Sequence, residues 1–176
     1  MPLKRGHTTP GWFGFLEAAG AGEGKSDGYA EVLFGVGWGL PLLDGATRLN
    51  LTASVGGAGG GQVDTGGGLI GKAGIGISHQ FSPRLSAGLD VGTVATRGAF
   101  EGGSVALNLS YALGELNPTR HGQALEKGEG VVLQGWEVAA SHQSYFKARR
   151  KDGSDDGIDL VGMKLARRLG EHGYMT

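Results

Sequence analysis

The chain has 176 residues and a net charge of −1, from 16 basic and 17 acidic side chains, which excludes the basic surface of a nucleic-acid-binding protein. It contains no cysteine, so disulfides, thiolate metal ligands and a cysteine nucleophile are all excluded. Its 37 glycines indicate a fold that needs small side chains repeatedly.

Residues 1–10 are predicted to be an N-terminal extension. Pro10 and Glu17 interrupt any apolar core of a signal peptide, so no signal peptide is expected here. No stretch reaches the roughly 18 apolar residues that a membrane helix requires. Residues 11–176 are predicted to form one domain.

From residue 11 onwards, apolar residues alternate with small or polar ones, which is the period of β-strands. In "RLSAGLDVG", Leu85, Leu89 and Val91 share one face and Ser86 and Asp90 the other. The phase of the first and last strands is ambiguous. This alternation predicts eight strands, at about 11–21, 28–41, 47–57, 67–81, 84–96, 103–114, 131–147 and 158–169.

The connections between these strands differ in length. "LLDGA" and "FSPR" are tight turns, whereas "AGEGKSDG", "GGAGGGQVDTGG", "TRGAFEGG" and "RRKDGSDDG" are longer, polar and rich in glycine. If the strands run up and down, the tight turns lie at one end and the longer loops at the other. That asymmetry is typical of bacterial outer-membrane barrels.

The chain resembles the small eight-stranded outer-membrane barrels of the OmpA/OmpX type. "HQFSPRLSAGLDVG" looks like their strand, turn and strand unit, and "GGSVALNLSYAL" looks like their closing strand. The resemblance covers about residues 11–169. It implies an all-β, antiparallel up-and-down barrel of about eight strands, located in the bacterial outer membrane with lipid as its partner.

A polar linker at 114–130 follows the strand that resembles the closing strand. In the family that strand should end the chain, yet more residues follow Leu113. We therefore hypothesise that the strand order is circularly permuted, with the original termini inside 114–130. A parent sequence that begins near Gly130 would support this, and a homologue with the present order would contradict it.

The interior of an eight-stranded barrel is just wide enough for side chains. Small residues on the inward faces would leave room there for larger polar ones, giving a packed lumen rather than an open pore. The predicted luminal polar network is Glu31, Lys72, Asp90, Glu137 and Lys164. The aromatic residues predicted to form girdles at the membrane interfaces are Trp12, Trp38, Trp136, Tyr29, Tyr111 and Tyr145.

Two ligand-binding motifs are incomplete. Gly66–Lys72 begins like a phosphate-binding loop, but Ala73 replaces the hydroxyl residue and a strand follows, so no nucleotide and no other cofactor is expected. "DGSDDG" resembles a calcium loop that lacks its final glutamate. An exposed turn is therefore predicted there, with weak calcium binding by Asp152, Ser154 and Asp156 as the alternative.

The string "SHQ" occurs at 78–80 and 141–143. Adjacent strand residues point to opposite faces, so a serine cannot pair with the histidine beside it. A Ser-His-carboxylate site would have to form from residues that are not adjacent in sequence, for example His142 with Ser144 or Glu137. The weak catalytic candidates are His79, His142, Ser144 and Glu137; the competing interpretation makes the histidines interfacial anchors.

The main functional prediction is a barrel with a structural or surface-interaction role, binding other envelope proteins or further copies of itself, and the question of enzymatic activity stays open. Two alternatives remain. A membrane-embedded lipid-modifying hydrolase would be favoured by a serine, a histidine and a carboxylate at one membrane-level position. A soluble, self-associating β-barrel or sandwich would be favoured by a polar outer face and an apolar interior.

Overall fold

The computed structural model describes residues 10–22, 24–42, 46–98, 100–113 and 135–169. One short 3-10 turn, Gly24–Ser26, accompanies the strands, and no helix in these ranges is long and apolar enough to cross a membrane. The strands are β1 (Gly11–Gly20), β2 (Ala30–Leu42), β3 (Thr47–Gly59), β4 (Leu69–Gln80), β5 (Leu85–Thr96), β6 (Glu101–Leu113), β7 (Trp136–Arg149) and β8 (Asp155–Arg168).

The strands form a closed antiparallel barrel in chain order, and β1 pairs with β8 to close it. At this seam Leu16 lies opposite Leu165 and Glu17 opposite Lys164. Closure leaves no sheet edge with unpaired backbone groups. The predicted fold class, an all-β up-and-down barrel of eight strands, is confirmed.

Three predicted segments lie wholly or mostly outside the described residues. They are the N-terminal extension up to residue 9, the linker 114–130 and the start of the seventh predicted strand, 131–134. The proposed permutation therefore stays a hypothesis. The eighth strand begins at Asp155 rather than residue 158, because Arg149 and Asp155 still pair across the hairpin.

The two ends of the barrel differ. The connections 60–68 and 150–154 and the described parts of those after β1 and β5 lie at one end, here called the loop end, and the turn 81–84 and Ala46 lie at the opposite, terminal end. Contacts between connections brace the loop end: Arg150 Nη2 donates to the Lys25 carbonyl at 2.6 Å, and Lys151 N donates to the Gln62 carbonyl at 3.0 Å.

The outer wall of the barrel is apolar and exposed. Phe34, Leu107 and Met163 point outward with exposed fractions of 65%, 59% and 63%. The same face of β4 and β5 carries Ile75 and Val91. The soluble alternative requires a polar outer face, so this arrangement counts against it.

The interior contains an apolar layer near the loop end and a polar layer below it. The apolar layer includes Leu33, Ile70, Val94, Ile158 and Leu160, all buried. Glycines make room elsewhere: a Cβ at Gly35 would lie 2.2 Å from the Phe15 ring, and one at Gly37 would lie 2.2 Å from the Phe13 ring.

The girdle prediction is wrong for two of the six aromatic residues. Tyr29 and Tyr145 point inward and are buried, with 1% and 0% exposure. Their hydroxyl groups have hydrogen-bond partners in the lumen, and these bonds offset the loss of water when the phenol is buried. The outward aromatics Trp12, Trp38, Tyr111 and Trp136 all lie toward the terminal end.

Candidate functional site

The luminal polar layer is centred on Lys72, the lysine of the motif that resembles a phosphate-binding loop. Its Nζ donates to Glu17, and lies 3.2 Å from Glu31 Oε1 and 2.8 Å from Gln143 Oε1. Lys164 Nζ lies 3.1 Å from Glu17 Oε2. The structure thus brings the predicted residues Glu31, Lys72 and Lys164 together through Glu17, which the sequence analysis did not include.

Of the other two predicted luminal residues, Asp90 lies beside this centre, next to the same small cavity, and Glu137 lies apart from it. Asp90 Oδ2 accepts a hydrogen bond from Asn108 Nδ2 at 2.6 Å. Glu137 also points inward, but it lies near the terminal end, where it acts electrostatically on Arg48 and Arg168. Alternation along a strand indicates the face of a residue and leaves its height in the barrel open.

The polar layer encloses a small cavity of about 50 Å³ next to Glu17, Lys72, Asp90 and Lys164. This volume holds a few water molecules and excludes an acyl chain or a sugar. Among the described residues, this cavity is therefore lined by structural ion pairs and is too small for a substrate of that size.

His79 lies on the outer wall near the terminal end. Its Nδ1 is 3.0 Å from Thr47 Oγ1, and its ring meets the Phe81 ring edge-on at 5.1 Å between centroids. No serine or carboxylate among the described residues is hydrogen-bonded to it. These contacts give His79 an anchoring environment and no catalytic partner.

Ser144, Asp159 and His142 form a second polar group on the outer wall, near the loop end. Ser144 and Asp159 are register partners on β7 and β8, and Ser144 Oγ donates to Asp159 Oδ1 at 2.5 Å. His142 lies two residues along β7 on the same outward face, between Leu107 and Val161. Glu137 points inward, so the carboxylate beside Ser144 and His142 is Asp159 and not Glu137.

Asp159 is not among the residues predicted from the sequence, although one signal in the sequence points to it. In "GIDLVGMKL" it occupies the same alternating set as Val161, Met163 and Leu165. An acidic residue on an otherwise apolar outward face is costly in lipid and marks a position with a specific role.

The height of this group follows from the strand geometry. Trp136 lies at the terminal end of β7. Strands rise by about 3.3 Å per residue and tilt by about 40° in such barrels, so Ser144 lies roughly 20 Å from Trp136 along the barrel axis. The apolar band of a membrane barrel is about 25 Å tall. Ser144 and Asp159 therefore lie at the border of the apolar wall opposite the tryptophans.

The three predicted calcium ligands do not converge. Asp152 Oδ1 accepts hydrogen bonds from Ser154 N at 2.9 Å and Ser154 Oγ at 2.6 Å, which keep the pKa of Asp152 below its ordinary value. Asp156 Oδ2 instead lies 3.7 Å from Lys25 Nζ. Within the described ranges, no cluster of three or more acidic or histidine side chains could hold a metal ion.

No protein family matches the chain, and no curated protein is similar to it in sequence. Among solved structures, the barrel is similar to the crystal structure of Neisserial surface protein A. The two are 11% identical, the alignment covers 89% of this chain and 96% of that chain, and the TM-score is 0.46.

Proposed function

We propose that this protein is an integral barrel of the bacterial outer membrane that hydrolyses an ester bond of a membrane lipid at its outer wall. The observation that carries the enzymatic part is the hydrogen bond from Ser144 to Asp159 with His142 beside it, on an outward face made mainly of apolar side chains.

The membrane location is supported by the distribution of polarity. Barrels that span a bilayer have an apolar outer wall, polar side chains in the lumen and aromatic residues at the membrane interface. This barrel has the first two features and an aromatic set at its terminal end. Arg84 and Arg167 lie over the rings of Tyr111 and Trp136 at 5.9 and 5.4 Å, which places cations where lipid phosphates would be.

The chemistry follows from the three side chains. Ser144 Oγ would attack the ester carbonyl while the His142 imidazole accepts its proton, and Asp159 would orient and stabilise the resulting imidazolium. The protonated imidazole then donates to the departing alcohol, and a water molecule hydrolyses the acyl-serine. The imidazole has to turn toward Ser144 and Asp159 for this, as catalytic hydrogen bonds often tighten only with substrate bound.

The height of the site fits this substrate. The ester groups of a lipid lie where headgroups meet acyl chains, and Ser144 lies at the corresponding border of the apolar wall. A soluble substrate would not need a serine on a lipid-facing surface.

The second candidate is the structural or surface-interaction role, with envelope proteins or further copies of the chain as partners. It is favoured by the packed lumen and by the braced loop end, where Arg150 joins two connections. Under this alternative, the Ser144–Asp159 bond only satisfies two polar groups at the membrane border.

One experiment separates the two. The protein is refolded into detergent micelles, its folding is checked by heat-dependent mobility in SDS-PAGE, and fatty-acid release from an ester-linked phospholipid is measured. We expect Ser144→Ala and His142→Ala to lower the rate by about a thousandfold or more. Thr93→Ala, which removes another outward hydroxyl from the wall, is the control and should not change it. If the folded wild-type protein releases no more fatty acid than Ser144→Ala does, the hydrolase is excluded and the structural role is the remaining candidate.

A further inference from the structure

A groove of about 390 Å³ runs along the outer wall beside His142. Its lining comes from β5, β6 and β7: Leu107 and Leu109 project as walls, while Ala87 and Ala140 leave the floor low. Both alanines are register partners of Leu109, so they lie on either side of it in the same row.

We propose that this groove is the acyl subsite of the Ser144 centre and that Ala140 sets how well it accepts a chain. This inference rests on the proposed function. The occupant is the acyl chain beyond its first carbons, held on the wall while Ser144 attacks.

The position of the groove determines which part of a lipid it receives. His142 belongs both to the groove and to the polar group, so groove and site are continuous. From His142 the groove extends toward Ala140 and Leu109, that is, away from the loop end and toward the middle of the apolar band. A chain attached to an ester at Ser144 would run in that same direction.

The lining fits a hydrocarbon and little else. Apart from the imidazole of His142, the outward side chains of the groove are alanine and leucine, and Asn108 and Ser141 point into the lumen. A lipid headgroup would find few hydrogen-bond partners there. Alkyl carbons would gain contacts with Leu107 and Leu109 that the flat parts of the wall do not offer.

The test fills the groove without touching the polar group. Ala140→Leu places a larger side chain on the floor, and Ala53→Leu makes the same change on β3, where Ala53 also points outward. Hydrolysis of p-nitrophenyl acetate and p-nitrophenyl octanoate in micelles is compared for wild type and both variants. Retention of added palmitate is measured in parallel by native mass spectrometry, which needs no turnover.

We expect Ala140→Leu to lower kcat/KM for the octanoate at least about tenfold, since a single methylene contact can change it by about 10- to 200-fold. The acetate should change less than about twofold, as it does not reach the floor. Ala140→Leu should also retain less palmitate, and Ala53→Leu should match the wild type in every readout.

The possible negative results distinguish an error in the proposed groove from an error in the proposed hydrolase. Equal effects of Ala140→Leu on both esters, with hydrolysis still abolished by Ser144→Ala, would overturn the groove and leave the proposed function intact. Absence of Ser144-dependent hydrolysis, with palmitate retention still lost in Ala140→Leu, would overturn the hydrolase and leave an acyl-binding groove. Loss of neither property in any variant would overturn both.

Discussion

Lys72 Nζ lies 3.2 Å from Glu31 Oε1 in the middle of the barrel, where the Glu31 side chain is fully buried. Glu17 accepts from the same ammonium group and from Lys164. Lys72 thus contacts both carboxylates that the lumen holds away from bulk water, and Lys164 contacts only Glu17. Removing one partner of a buried ion pair destabilises a protein far more than replacing the whole pair by apolar residues does.

Lys72→Met is expected to lower the free energy of unfolding by about 3–5 kcal/mol, because Glu31 loses its cation while it remains buried. Urea titration of the barrel in lipid vesicles, followed by tryptophan fluorescence, measures this. Lys25→Met is the matched control: its side chain is 79% exposed, and its pair with Asp156 should contribute less than about 1 kcal/mol. Similar stabilities of the two variants would contradict a central role for Lys72.

Tyr145→Phe tests the phenol of the same layer. The Tyr145 hydroxyl donates to Glu31 at 2.5 Å, so its removal takes one donor from a buried carboxylate and should destabilise the barrel by about 1–3 kcal/mol. Tyr111→Phe removes an exposed hydroxyl that accepts from Arg84 at 3.3 Å and should change stability by less than about 0.5 kcal/mol. Equal urea midpoints for the two would show that the luminal hydroxyl is dispensable.

Two neighbouring glycines on β3 should differ sharply in how well they tolerate substitution by alanine. A Cβ at Gly56 would lie 1.9 Å from the Val32 carbonyl oxygen, whereas one at Gly57 meets only the Gly68 carbonyl, at 3.9 Å. Gly56→Ala is expected to destabilise by about 1–3 kcal/mol through strain, and Gly57→Ala by less than about 0.5 kcal/mol. The folded fraction in unheated SDS-PAGE reads this out, and a fully folded Gly56→Ala variant would refute the close approach of β2 and β3.

A charge on the outer wall tests the membrane location. Met163 points outward near the middle of the apolar band, and Met163→Arg should cost about 2–4 kcal/mol in vesicles. Gly157 points outward close to the loop end, where Gly157→Arg should cost about 0–1 kcal/mol. Refolding into vesicles followed by urea titration gives both values; a barrel indifferent to Met163→Arg would not be embedded in lipid.

The sequence allowed the strands and their faces to be predicted where large apolar residues alternate with polar ones, as in β5 around Leu89 and Asp90. It failed for β1, where Gly14 and Ala18 face outward and leave the phase undetermined. Glu17, which contacts both luminal lysines, was missed for that reason. Small residues on both faces remove the contrast on which alternation depends.

Height in the barrel was the other quantity that the sequence did not provide. Glu137 points inward as expected, yet the pairing of β7 with β6 and β8 places it near the terminal end. The partnership of Ser144 with Asp159 depends in the same way on a hairpin register that shifts between Tyr145 and Ala148, where Lys147 adopts a φ of 62°. Register of this kind comes from pairing and turn geometry rather than from the pattern of one strand.

His142, Ser144 and Asp159 all belong to the single hairpin of β7 and β8. The chemistry proposed for these residues therefore depends on one continuous segment of the wall and on no residue of the loops or the lumen. One substitution on that hairpin would be enough to remove the proposed activity, and the barrel would still fold. Inert and active relatives could therefore share every other feature of this architecture.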